Sequence, residues 1–266
     1  MTRPFRRCAL AISLCAGLFH LPVQAADPAT LLTSLNAQRL GAYQLQTLFY
    51  LLSIEEGANV VAAQLGRAAS GFAAQVEQLD ELAEGLGLEV PVAQVQVEAR
   101  RLRQLAESNE MLSQGYVDLH TQNDLALSAS TLARAYAALL EQLARQGGHS
   151  EPMQEQAVLM QRIAAGYVRE SASLDGGSAI YDSARDLELS VDALSVQFRQ
   201  QLTVLDQQYA SQPLASAQLK QVATTWNYIE KALLHYKEKS VPFVVVRYSD
   251  KIVAHLTAPQ RAEASR

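Results

Sequence analysis

Cysteine occurs only at Cys8 and Cys15, both inside a leading segment expected to be removed. The remainder has no thiol for a disulfide framework, a cysteine–zinc site or a c-type haem attachment. Glycine and proline are sparse, at 13 and 8 residues, and aromatics make up only 6%, which leaves little for turns and strands; the strand signal is weak everywhere except Val241 to Tyr248. Positive charge is also short. Without Arg3, Arg6 and Arg7 the chain keeps 19 basic residues against 27 acidic ones, a net charge near −8. A body this acidic is a poor partner for nucleic acid. After the leader no apolar run reaches the ~18 residues of a membrane span, so no transmembrane segment is expected in the mature chain.

The leader has the parts of an export signal. Arg3, Arg6 and Arg7 form a basic start, Cys8 to Phe19 is apolar, and Val23-Gln24-Ala25 offers a small-x-small cleavage site before Ala26. Residues 1–25 are therefore expected to be a signal peptide cleaved after about Ala25, with a soluble mature product in the periplasm. Leu14 before Cys15 is not the small residue that lipid attachment requires, and Arg6-Arg7 alone does not make a twin-arginine signal.

What is abundant is Ala, Leu, Gln and Glu, the composition of long helices. In the stretch Leu31 to Leu52, apolar residues at Leu31, Leu35, Ala42, Leu45, Phe49 and Leu52 draw one helical stripe, interrupted by Gln38 and flanked by Arg39. A similar stripe returns 118 positions later: Leu35, Gln38, Ala42, Leu45 and Phe49 answer to Met153, Gln156, Met160, Ile163 and Tyr167. The first helix is expected from Pro28 to Ile54, capped by Thr30 or Thr33 and ended by Glu55-Glu56-Gly57. The second runs from Ala58 to Leu86, and the third starts at Pro91 after the Gly85 to Glu89 break. The fourth reaches about Gln146; His120 to Asp124 reads equally as a turn or as a wet helix face. Gln146-Gly147-Gly148-His149-Ser150-Glu151-Pro152 is the strongest breaker in the chain. Beyond it the plan repeats, with helices from Pro152 to Leu174, Ser178 to Tyr209, Leu214 to Lys239, and Pro242 to Leu256. The β-branched start of the last one is read as helix because Phe243, Val246, Ile252, Val253 and Leu256 keep roughly to one face. The expected fold is all-α: two tandem antiparallel four-helix bundles of about 120 residues, at 26–148 and 149–258, with a disordered tail at 259–266.

No catalytic constellation stands out, so no enzyme is expected. His120, His149, His235 and His255 are scattered and read as surface or capping residues. There is no Glu-x-x-His of di-iron bundles, no nucleophile elbow, no dinucleotide fingerprint and no phosphate loop. No metal or cofactor is expected. Trp226, Met153 and Met160 read as packing residues, and Tyr228 beside Trp226 does not make a stacking patch. Gln38-Arg39 is more informative. A glutamine inside an apolar stripe is costly without a partner. It fixes the register of the helices, or simply faces solvent, or belongs to a ligand site, where the neighbouring guanidinium is a fork suited to planar or trigonal oxyanions.

Leu35-Asn36-Ala37-Gln38-Arg39-Leu40 followed by Gln44-Leu45 resembles the first helix of the NarX/PilJ-like N-terminal sensor domain, shared by nitrate/nitrite sensor kinases and type IV pilus methyl-accepting chemotaxis transducers. That family carries two Arg-Met pairs in this helix. Here Arg39-Leu40 matches the first pair and Gln44-Leu45 stands in place of the second. In the second half Ala157-Val158 replaces the first pair and Arg162-Ile163 matches the second. Trp226, in the third helix of its unit, is a further similarity. The resemblance spans both halves as helical layout and about ten residues per half as motif. It implies a four-helix periplasmic bundle without enzymatic activity, in which the first arginine binds an anion where the opening helices of two subunits meet. Arg39 takes that position here, and Arg162 corresponds to the other arginine. Membrane helices and a kinase or methyl-accepting portion are missing, so the chain would not signal across a membrane unaided.

The combined expectation is a periplasmic sensor-like protein in which the opening helices of the halves meet as an internal pseudo-dimer. A small oxyanion or other small polar ligand is placed near Gln38, Arg39, Gln156 and Arg162. The alternative is a non-liganded accessory module that docks a membrane receptor or pilus-associated partner through an exposed helix face.

Overall fold

Asp27 opens the first helix. Its carboxylate accepts from the Ala29 backbone N–H at 3.0 Å and from the Thr30 hydroxyl at 2.8 Å, and Pro28 occupies the first helical position, where a missing N–H costs nothing. The cap is thus Asp27; Thr33 instead bonds back to the Ala29 carbonyl. The computed structural model describes residues 27–54, 59–107, 119–176, 189–236, 238 and 240–259. The leader 1–25, the expected stop at Glu55-Glu56-Gly57 and the tail 260–266 lie outside the described residues.

Among the described residues every regular element is a helix, and the fold is all-α. The helices are α1 (Pro28–Ile54), α2 (Asn59–Glu77), α3 (Leu79–Ala83), α4 (Glu89–Glu107), α5 (Leu119–Arg145), α6 (Pro152–Gly176), α7 (Val191–Gln208), α8 (Pro213–Leu234) and α9 (Pro242–Thr257). His120 to Asp124 belong to α5 and form no turn. The expected second helix is two pieces, α2 and α3, broken at Gln78. The helix expected from Ser178 to Tyr209 is not helical at 189 and 190, and α7 begins at Val191 after the extended Ser190; its expected start at Ser178 lies outside the described residues. The run Val241 to Tyr248 is helical from Pro242 on. Its inward residues are Val245, Ser249, Ile252 and Leu256, while Phe243 stays exposed.

Gly85 and Gly87 hold positive φ in the link to α4. The α5–α6 breaker closes as a left-handed helix cap: Gly147 has φ +86°, and the Gly148 N–H reaches back to the Leu143 carbonyl at 2.9 Å.

Packing divides at that breaker. α1, α2, α4 and α5 neighbour one another in a ring, and α6, α7, α8 and α9 form a second ring. Each ring surrounds its own apolar core, one around Leu35, Leu45, Phe72 and Leu139, the other around Met160, Phe198, Trp226 and Ile252. Trp226 is buried and stacks on Phe198 with ring centroids 4.2 Å apart, whereas Tyr228 is exposed. Met153 and Met160 are fully buried. Among the described residues, no helix is long and apolar enough to cross a membrane.

The two rings join through their opening helices, which pack more extensively than any other pair. α1 and α6 run parallel. Asn36 and Arg39, early in α1, bond Gln154 and Glu155, early in α6. Late in α6, Tyr167 and Ser171 bond Val241 and Ser240 at the head of α9, and that head lines a groove with Leu48 and Leu51, late in α1. Val168 and Ala172 of α6 also enter the first core, and Leu40 of α1 leans on the second.

Candidate functional site

The stripe on α1 and its copy on α6 both turn their glutamine inward. Gln38 and Gln156 are 0% and 1% exposed. Gln38 Nε2 donates to the Gln75 carbonyl at 2.9 Å, and Gln156 Nε2 donates to the Phe198 carbonyl at 2.9 Å. Each glutamine therefore ties the opening helix of its unit to the backbone of the next helix, α2 or α7. The settings differ. Gln75 lies in the last turn of α2, whose final four carbonyls lack intrahelical partners. Gln96 of α4 reaches the neighbouring Val76 carbonyl at 3.3 Å, so two buried glutamines serve the α2–α3 break. Phe198 lies inside α7, and Gln156 Oε1 is buried without a partner.

Arg39 lies on the α1–α6 seam with its side chain 17% exposed. Its two terminal nitrogens meet the two Glu155 oxygens at 2.6 and 3.0 Å, and Nη1 also donates to Asn36 Oδ1 at 2.9 Å. Asn36 Nδ2 continues across the seam to Gln154 Oε1 at 3.0 Å. Burial raises the Glu155 pKa, but the Arg39 hydrogen bonds and charge, with a hydrogen bond from Ser150, outweigh it and hold the carboxyl below its usual range. The fork that the family resemblance assigns to an external anion here grips a carboxylate of the chain itself.

Beside this ion pair a cleft of about 360 Å³ opens between α1, α5 and α6, within the ~300–1,000 Å³ span of small-molecule sites. Arg39, Tyr43 and Gln46 of α1 line it, as do Ser130, Arg134 and Tyr136 of α5 and Arg162 of α6; among the described residues no acidic side chain lines it. Arg134 is exposed and bonds the Thr131 hydroxyl. Arg162 has a buried Nε with no hydrogen-bond partner. Tyr136 is buried at the cleft floor and directs its hydroxyl toward Gln38 Oε1, 3.5 Å away. Burial drives its pKa far above the ordinary tyrosine value, against the lowering charge of Arg39, so it stays a neutral phenol.

Of the four residues singled out from sequence, Arg39 and Arg162 meet in this cleft. Gln38 lies behind it through Tyr136, and Gln156 is spent on α7. Sequence reasoning missed Glu155, although it immediately precedes Gln156 on the repeated segment, and all of the α5 wall. Among the described residues, no three His, Cys, Asp or Glu side chains gather as metal ligands.

Comparison with protein-family models, curated proteins and solved structures finds no match to this chain.

Proposed function

We propose that this is an extracytoplasmic binding protein for a small anion, held in the cleft between α1, α5 and α6. The observation that carries the reading is Arg162: a guanidinium on the wall of an open cleft, with a buried Nε lacking a partner, among other arginines and no acids. A buried guanidinium N–H left without an acceptor is costly, and an oxyanion that accepts from it relieves that cost. The basic-then-apolar leader from Arg3 to Ala25 supports export to the periplasm, and the resemblance of the opening helix to a sensor domain supports a sensing role. Because the cleft is walled by helices of both rings, a ligand there would contact α1 and α6 together and act by favouring one packing of the seam.

The test is thermal unfolding of the purified chain with a panel of small anions. A ligand that binds only the folded form raises Tm with concentration, and Arg162→Gln should abolish the rise. A panel that leaves the wild type unshifted overturns the reading.

A second reading, an accessory module docking a pilus- or chemotaxis-type receptor, is favoured by one feature. A groove of about 790 Å³ runs between α1, α2 and α9, lined by Leu48, Leu51, Val60, Phe243 and Val246, with Val60 and Phe243 exposed. Under that reading Phe243→Asp weakens association with the receptor and leaves any anion-induced shift intact.

A further inference from the structure

We infer that the anion this cleft takes is an organic monocarboxylate with an apolar body, anchored by Arg162, rather than nitrate or another bare oxyanion. The inference rests on the anion-binding reading and narrows it to a ligand class.

Size comes first. A cleft of about 360 Å³ is many times the ~10–15 Å³ that suffices to hold one water. A four-atom trigonal oxyanion at Arg162 would leave most of that space to water. The walls decide what fills the rest. Ala42 on α1 and Ala129, Leu132, Ala133, Ala137 and Leu140 on α5 line it beside the polar residues and give it apolar surface as well. Covering such a surface with hydrocarbon is favourable, and a hydrated inorganic ion gains nothing from it.

Charge sets the number of carboxylates. Arg39 has a carboxylate partner already, Glu155, held by two hydrogen bonds. Arg134 is exposed and keeps its charge in water, where an ion pair contributes little. That leaves Arg162 as the one partly desolvated guanidinium of the cleft without an ion-pair partner among the described residues. One uncompensated cation matches one carboxylate, whose two oxygens suit the guanidinium fork. The hydrocarbon end would then lie along Ala133, Ala137 and Leu140.

The test is calorimetric titration of the purified protein with hexanoate, benzoate, acetate, nitrate and sulfate. Hexanoate or benzoate should bind at least about tenfold more tightly than acetate or nitrate. Arg162→Gln should lose that binding, and Arg162→Lys, which keeps the charge without the fork, should restore part of it. Ala137→Phe, at an exposed position that can be enlarged without disturbing either core, should block the six-carbon acid more than acetate. If nitrate or sulfate binds as well as the organic acids, the narrowed ligand class is wrong and the anion-binding reading stands. Organic acids that bind equally well to Arg162→Gln overturn the anchor. If no member of either set binds, both readings fall together.

Discussion

Asn36 donates a hydrogen bond to Gln154 across 118 residues of sequence, at 3.0 Å, and 118 is the offset that maps the α1 stripe onto the α6 stripe. The two residues are counterparts. In a two-fold interface, contacts between counterparts occur at the axis. The pair therefore joins matching positions of the repeated segment across the parallel seam of α1 and α6. The Arg39–Glu155 pair departs from that symmetry, since the counterpart of Arg39 is Ala157 and that of Glu155 is Ala37.

Asn36 is 3% exposed and serves both Arg39 and Gln154. Asn36→Ala should cost about 1–2 kcal/mol, and Gln154→Ala about 0.5–1 kcal/mol. The double mutant should lose less than the sum by at least about 0.5 kcal/mol, because the pair shares one bond. Urea unfolding of the four proteins gives the coupling directly; strict additivity would mean the bond is absent in solution.

The two inward glutamines should behave differently when replaced by leucine. Gln38→Leu strips the Gln75 carbonyl of its donor at the end of α2, which should cost about 1–3 kcal/mol. Gln156 leaves its own Oε1 unpaired while serving a carbonyl inside α7. Gln156→Leu should be within about 1 kcal/mol of wild type, since removing an unsatisfied buried polar atom offsets the lost bond. Equal destabilisation of the two variants would show that the α2–α3 break is not what Gln38 protects.

Glu155 sets part of the acid stability. Its carboxyl is held below the usual value of 4.5 in the folded chain, so the unfolded chain takes up the proton first as pH falls. The stabilisation is present above about 4.5 and is lost as pH drops through the lower folded value. Glu155→Gln should therefore be less stable than wild type at neutral pH, with the gap closing below that range. The side chain is 40% exposed, so screening should hold the gap to about 1 kcal/mol or less. Denaturant midpoints measured against pH for both proteins decide it; a gap that does not change with pH would mean the ion pair contributes nothing.

Read alone, the sequence determined the helical content, the first helix from Pro28 to Ile54, the Gly147 break and the burial of Trp226, and it singled out Gln38 and Gln156 without deciding which way they face. These follow from local chemistry: a repeat of apolar residues every three to four positions, residues able to adopt positive φ, and the cost of facing tryptophan to water. The break in α2 at Gln78 was hidden, because nothing near Gln78 forbids helix. The carbonyls freed there are satisfied by Gln38 and Gln96, 37 and 20 residues away from the positions they reach. The candidate site was half visible for the same reason. Arg39 and Arg162 stood on repeated helical segments, but only the parallel docking of α1 on α6 brought Glu155 onto Arg39 and left Arg162 facing a wall supplied by α5. Which guanidinium meets a carboxylate inside the fold and which is left without one depends on distances across helices, and those exist only once the two halves have packed.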